Sequence, residues 1–125
     1  MATVTPVAPQ TIMNEETPIQ PREEVGTHLM FENERVRVWD LALAPNEWLE
    51  KHIHREDFLF VVINGGDLKH IDPQNPEQDR SLSYENDLVV FYAVEGEGKV
   101  HNRLVNVGDT PYRNLVIELK KPPVP

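Results

Sequence analysis

The chain has 125 residues and not one cysteine. Disulfide scaffolds, thiolate metal sites and cysteine nucleophiles are therefore excluded. No apolar run approaches the roughly 20 residues a membrane helix needs. The first residues lack the basic start and apolar block of a signal peptide, so a cytoplasmic protein is the expectation. Positive charge is scarce: 12 Lys and Arg stand against 21 Asp and Glu, for a net charge of −9. Phosphate backbones and anionic membranes attract clustered Lys and Arg, and here the basic residues are scattered, so neither nucleic acid nor a membrane is an expected partner. No Walker-type loop, GxGxxG or GxSxG motif occurs. The paired carboxylates Glu15-Glu16, Glu23-Glu24 and Glu56-Asp57 read as solvated charge.

Three segments follow from what is present. Residues 1–26 hold Pro6, Pro9, Pro18 and Pro21, a spacing that no helical or strand period survives, and read as an extended or disordered N-terminal arm. Residues 27–121 form one small domain, and 122–125 are a proline-rich tail. Within the domain, Arg35–Leu43 (RVRVWDLAL), Phe58–Ile63 (FLFVVI), Asp67–Ile71, Leu88–Tyr92 (LVVFY), Lys99–Val107 and Arg113–Leu119 (RNLVIEL) read as strands. The turn signals between them are Pro45-Asn46-Glu47, a hairpin-type Asn64-Gly65-Gly66, the DPQNPEQD loop, EGEG, and Asn106 to Pro111. Asp67–Ile71 is expected to answer Phe58–Ile63 across the Gly-Gly turn. Leu115, Ile117 and Leu119 share one face. Short strands at 8–12-residue spacing indicate an all-β sandwich or barrel. Asn46–Glu56 has a rival helical reading with a thin apolar stripe, Trp48, Leu49 and Ile53.

Among five histidines, His52-Ile53-His54 is the one local cluster. In a strand, residues two apart point to the same side with Cα atoms roughly 6.5–7 Å apart. Two such imidazoles can converge on one ion at about 2.0–2.1 Å. In a helix they would diverge and could not chelate. Taken alone, the pattern competes with ordinary surface histidines. His28 and His70 read as surface residues, His70 with a supporting place beside the site as its alternative. Phe91 and Tyr92 read as core.

The order of the remaining pieces sharpens this. A turn and a histidine pair (PNEWLEKHIH) lead into an acidic stretch and a hydrophobic strand closed by glycine (REDFLFVVINGG). A second turn then leads to a histidine and a later asparagine (EGEGKVHNRLVNVGDTPYRNLVIEL). Together with the entering strand FENERVRVWDLALAP, these segments resemble the cupin family over most of residues 31–119. The resemblance implies a jelly-roll β-barrel in which His52, His54 and His101 face the interior and share one divalent metal. The family's glutamate would fall at Phe58 or Leu59, neither of them acidic. Two shells stay open: three histidines with water, or a fourth ligand from Asp57 or Glu56, with Glu50 also in phase with the histidines. The interval from His101 to Asn106 is one residue longer than usual. Arg103, in phase with His101 on a regular strand, is a candidate clamp for a substrate carboxylate.

Small cupins include dioxygenases, isomerases, cyclases and plain binding proteins. The three-histidine pattern looks most like the non-haem iron dioxygenases, and implies Fe(II), with Zn, Ni or Mn as alternatives, acting on a small enolisable or carboxylate substrate. A divalent ion on three neutral imidazoles keeps its full charge and would favour an anionic substrate. The alternatives are a non-redox Zn or Ni isomerase or cyclase, a ligand-binding cupin that does no chemistry, and a degenerate cupin with no tight metal. Metal loss is expected to steepen around and below the unperturbed histidine pKa of ~6.5, where protons compete for the ligands. A homodimer is expected, with the arm crossing between subunits as one possibility.

Overall fold

The computed structural model describes residues 20–122. Among them there is no α-helix; eleven strands and one 3-10 turn at Pro76–Gln78 make up the regular structure. The strands are β1 (His28–Glu32), β2 (Val36–Leu43), β3 (Trp48–Leu49), β4 (His52–His54), β5 (Asp57–Asn64), β6 (Gly66–Ile71), β7 (Arg80–Tyr84), β8 (Val89–Tyr92), β9 (Lys99–His101), β10 (Arg103–Asn106) and β11 (Tyr112–Leu119). One sheet runs β1-β2-β11-β5-β8, a second β3-β10-β6-β7, and a short ribbon pairs β4 with β9. All these pairings are antiparallel. The inner faces of the two larger sheets meet in one core that includes Trp39, Leu41, Phe58, Phe60 and Val62 from the first and Leu49, Leu68 and Leu104 from the second. The strand spacing predicts a sandwich or a barrel, and the structure is the barrel that the resemblance implies.

The helical reading of Asn46–Glu56 loses to a turn and two short strands. Asn46 takes φ of 72°, outside the helical region, and Glu47 folds back so that its carboxylate accepts from the Ala44 amide at 2.8 Å. The chain leaves this turn as β3 and then β4, and the two histidines of β4 point inward on either side of Ile53.

The Gly-Gly turn plays a different part from the one expected. β5 and β6 do not pair with each other: β5 lies between β11 and β8, and β6 lies between β10 and β7. Gly65 is where the chain steps from one sheet to the other. A Cβ there would run into the Tyr84 carbonyl, so only glycine lets the crossing pass so close to β7. The segment Lys99–Val107 is likewise two strands, β9 and β10, in different sheets, with the break at Asn102. Asn106 fixes the turn that follows: its side-chain amide donates to the Leu43 and Thr110 carbonyls, and its oxygen accepts from the Gly108 amide.

The last residues of the segment read as an arm, 20–26, sit against the barrel. The Arg22 amide donates to the Lys51 carbonyl at 2.9 Å, and the Ile53 amide donates to the Arg22 carbonyl at 2.8 Å. Val25 is fully buried in the core. The folded unit thus begins ahead of residue 27. Residues 1–19 of that arm, and 123–125 of the tail, lie outside the described residues.

Strand β11 has an inverted polarity. Tyr112, Asn114, Val116 and Glu118 point into the barrel, so the apolar set Leu115, Ile117 and Leu119 faces outward. The buried Glu118 carboxylate is satisfied by the Trp39 indole at 2.8 Å and the Arg37 guanidinium at 3.0 Å. On the outer face, Phe31, Val38, Ile117, Leu59 and Phe91 stand in ladder register across all five strands, and Leu115, Val61 and Val89 form a second row. Phe31, Val89 and Phe91 are each more than half exposed there.

Candidate metal centre

β4 and β9 build the site between them. His52 lies directly opposite His101 in their ladder, and residues opposite one another in an antiparallel pair project to the same side. His54, two residues along β4, joins them on that side. The ring centroids are 5.1 Å apart for His52 and His54, 5.5 Å for His52 and His101, and 4.7 Å for His54 and His101. One ring nitrogen from each lies within 4.8 Å of the others. Among the described residues this is the histidine-bearing cluster with metal-ligand spacing.

The local bonding prepares the ligands. His52 Nδ1 is 2.9 Å from the Glu50 carbonyl. A carbonyl only accepts, so Nδ1 carries the proton and Nε2 presents a lone pair, the arrangement metal-ligating histidines use. His54 stacks on Phe58 with centroids 3.7 Å apart and planes at 9°. Its Nδ1 is buried without a hydrogen-bond partner, a costly state that a bound cation or a ligand would relieve. Burial also keeps the rings neutral. It pushes His54 down to about 2, with the nearby His101, His52 and Lys99 adding to the effect. Burial, then His52, His70 and Lys99, pushes His101 down to about 3. His52 is lowered by burial against the opposing pull of the Glu50 carbonyl. Three neutral imidazoles in this spacing suit a divalent ion such as Fe, Zn or Ni.

The carboxylates and the arginine stand elsewhere. Asp57 accepts from the Val94 amide at 2.8 Å, and Glu56 accepts from the Lys121 amide at 3.2 Å. Neither joins the histidine group. Phe58, where the family's glutamate could have fallen, instead lays an aromatic ring on His54. Glu50 is in phase with His52 but its carboxylate binds Arg103 at 2.8 and 3.2 Å. That pairing also corrects the clamp assigned to Arg103. The chain changes sheets at Asn102, which breaks the phase between His101 and Arg103, and the guanidinium lies over the Trp48 ring, 5.2 Å from its centroid.

A cavity of about 70 Å³ opens onto the histidines. Its lining includes His70, Tyr84, Tyr92, Tyr112 and Asn114, and contains no Asp or Glu. His70, expected on the surface, is half-buried, 5.8 Å from the His101 ring, with its Nδ1 unpartnered. Burial lowers its pKa against the opposing Asn102 backbone, and Arg80 lowers it further. Tyr92 packs against the core and on Phe58, and also lines the cavity, whereas Phe91, expected in the core, is more than half exposed on the outer face. Asn114 donates to the Tyr112 hydroxyl at 2.7 Å and leaves its own buried oxygen free. The signal for Asn114 lay in the RNLVIEL alternation, had its polar set been assigned inward. His28 is exposed on the edge strand β1.

No family model matches the sequence, and no curated protein is similar enough to count as a relative. Solved structures do match. A cupin domain from Bordetella pertussis Tohama I aligns with a TM-score of 0.64 at 23% identity, covering 83% of this chain and all of that one. A cupin-family protein with a double-stranded β-helix fold from Methanocaldococcus jannaschii aligns with a TM-score of 0.54 at 14% identity, covering 80% and 86%. A polyketide cyclase from Streptomyces resistomycificus aligns with a TM-score of 0.52 at 21% identity, covering 73% and 59%. The fold is that of a small cupin.

The depressed histidines set a pH dependence of the metal-free protein. The folded state keeps these rings unprotonated, whereas the unfolded chain takes up protons near pH 6.5. Between about pH 3 and 6.5 the unfolded state binds more protons, so stability rises with pH and is lost on acidification. Each such histidine contributes a slope approaching about 1.4 kcal/mol per pH unit below 6.5. Urea unfolding should therefore show a lower midpoint at pH 5.5 than at pH 7.5, and a smaller difference in His54→Gln. A midpoint equal at the two pH values, or higher at pH 5.5, contradicts the buried neutral site. Proton competition at the folded centre correspondingly begins well below the pH of ~6.5 expected from free imidazole.

Proposed function

We propose that the chain is a mononuclear metal enzyme of the non-haem dioxygenase kind, working in the cytoplasm on a small enolisable or carboxylate substrate. The observation that carries this reading is the donor set: three neutral imidazoles in a cavity with no carboxylate in its lining. His52, His54 and His101 would hold the ion, Fe(II) by preference. Bound to neutral ligands alone, such an ion supplies undiminished Lewis acidity toward an enolate or carboxylate and, as Fe(II), a redox-active centre.

The rest of the chemistry belongs to this chain's own side chains. Phe58 supports the His54 ring face and keeps water from it. Burial raises the pKa values of Tyr84 and Tyr112, so their hydroxyls stay protonated and able to donate. The free oxygen of Asn114 accepts a hydrogen bond from a hydroxyl on the substrate. The Glu50 carbonyl holds the His52 tautomer, and Arg103 braces Glu50 from behind.

A second reading is a Zn(II) or Ni(II) enzyme that isomerises or cyclises its substrate without oxygen. The similar fold of a polyketide cyclase favours keeping it. A cupin that binds a small acid and does no chemistry is the third. Tag-free protein reconstituted with Fe(II) should consume oxygen when given a 1,3-dicarbonyl probe such as acetylacetone. The Zn(II) form should not, and His54→Ala should lose about 100-fold in rate. Oxygen-independent turnover by the Zn(II) form, with iron adding nothing, would move the assignment to the second reading.

We also propose a homodimer formed through the outer face of the five-stranded sheet. The two apolar rows need covering, and their charged neighbours Asp40 and Arg113 neutralise one another at 2.9 Å. A face whose two central rows are apolar and whose Asp40 and Arg113 pair with one another can meet its own copy about a two-fold axis. Light scattering should give twice the chain mass for the wild type and a single chain mass for the Leu59→Glu/Phe91→Glu double variant. A monomeric wild type at micromolar concentration refutes this interface.

A further inference from the structure

The way into the cavity carries an unusual charge for this chain. A vestibule of about 360 Å³ adjoins the inner cavity and shares His70, Tyr84, Tyr92 and His101 with it. Arg80 and Lys99 also line it, and no Asp or Glu does. In a chain with 21 acidic and 12 basic residues, an approach lined by two cations and no carboxylate stands out.

Strand pairing aims both cations at the opening. Lys99 is the ladder partner of His54 on the β4–β9 ribbon, and Arg80 is the ladder partner of His70 between β6 and β7. Ladder partners project to the same side, so each cation stands on the side where its histidine meets the cavity. Lys99 lies over the Tyr92 ring, 5.3 Å from its centroid, which keeps the ammonium at the mouth. Six other basic residues are tied up in ion pairs: Arg22, Arg37, Arg55, Arg103, Arg113 and Lys120. Among the described residues, neither Arg80 nor Lys99 has a carboxylate within ion-pair distance.

We infer that Arg80 and Lys99 form an anchoring site for an oxyanion group, carboxylate or phosphate, at the far end of the substrate from the reacting atoms. The two volumes divide the ligand. The inner cavity admits only a few heavy atoms, while the vestibule has the size of an ordinary small-ligand pocket. A small organic acid with two functional ends fits this division: an enolisable or carboxylate end at the histidines and an anionic end held at the mouth. The arginine fork suits either oxyanion, and the lysine adds a mobile point charge. The absence of acid around them lets the pair concentrate anions at the entrance against the molecule's overall negative charge. This deepens the metal-enzyme proposal and rests on it only for the identity of the reacting end.

The test uses malonate and inorganic phosphate as probes, titrated by amide NMR shifts into full-length protein, both metal-free and Zn(II)-loaded. The metal-free wild type should bind at least one probe saturably, and the affinity should fall as salt is added. Arg80→Gln/Lys99→Gln should weaken that binding by about tenfold or more. Lys69→Gln/Lys121→Gln, which removes the same charge from elsewhere on the barrel, should leave it unchanged. The probe that loses affinity in the Arg80/Lys99 variant identifies the anion, malonate for a carboxylate and phosphate for a phosphoryl group. No saturable binding by the metal-free wild type, or equal affinities in the wild type and the Arg80/Lys99 variant, overturns the anchoring site. If the anchoring effect holds while Zn(II) changes neither probe's affinity, the anchor stands and the metal reading fails.

Discussion

The antiparallel register that sets His52 against His101 organises everything this molecule is equipped to do. It is one contact in a ribbon of two three-residue strands, yet it joins parts of the chain 49 residues apart and aims three imidazoles at one point. A slip of one residue along β9 would turn His101 to the opposite side. Two anchors hold the ribbon against such a slip. On one side Arg22 pairs with Lys51 and Ile53 through the backbone. On the other, Gly98 packs so close to the His54 carbonyl and the Ile53 side chain that no Cβ could be added. The parts of the barrel thus converge on the geometry of a few ring nitrogens.

The second constraint is electrostatic. Two buried imidazoles and a half-buried third, without an acid beside them, are easily kept neutral and hard to protonate. Their surroundings are aromatic on one side, through Phe58 and Tyr92, and polar but uncharged on another, through Asn114 and Tyr112. The carboxylates nearest in sequence are spent on structure: Asp57 on the Val94 amide, Glu56 on the Lys121 amide, Glu50 on Arg103. Among the described residues, the one buried carboxylate, Glu118, is held by Trp39 and Arg37. Negative charge is thereby kept from the cavity in a molecule whose net charge is −9.

Much of this was legible in the sequence. Period-two alternation and turn residues mark the strands, and the His52-Ile53-His54 spacing marks the ligand pair, because both are local properties. What was not legible depends on which strands meet. Alternation in RNLVIEL shows two faces but not which is inside, and the more apolar one turned out to be outside. The Gly-Gly step looks like a hairpin because the residues that bar a side chain at Gly65 come from β7, distant in sequence. Arg103 looked inward because a sheet change at Asn102 leaves no mark in composition. His70 became a cavity residue through pairing with β7 and β10, for which its own neighbours give no sign.

The most direct measurement is X-ray absorption at the metal edge of tag-free protein, with metal content measured on the same samples for the wild type, His52→Ala, His101→Ala and His28→Ala. The account predicts a first shell with three imidazoles and no carboxylate, one metal per chain in the wild type and His28→Ala, and little metal in the other two variants. Fewer than three imidazoles around the ion, or equal metal in all four proteins, would contradict it.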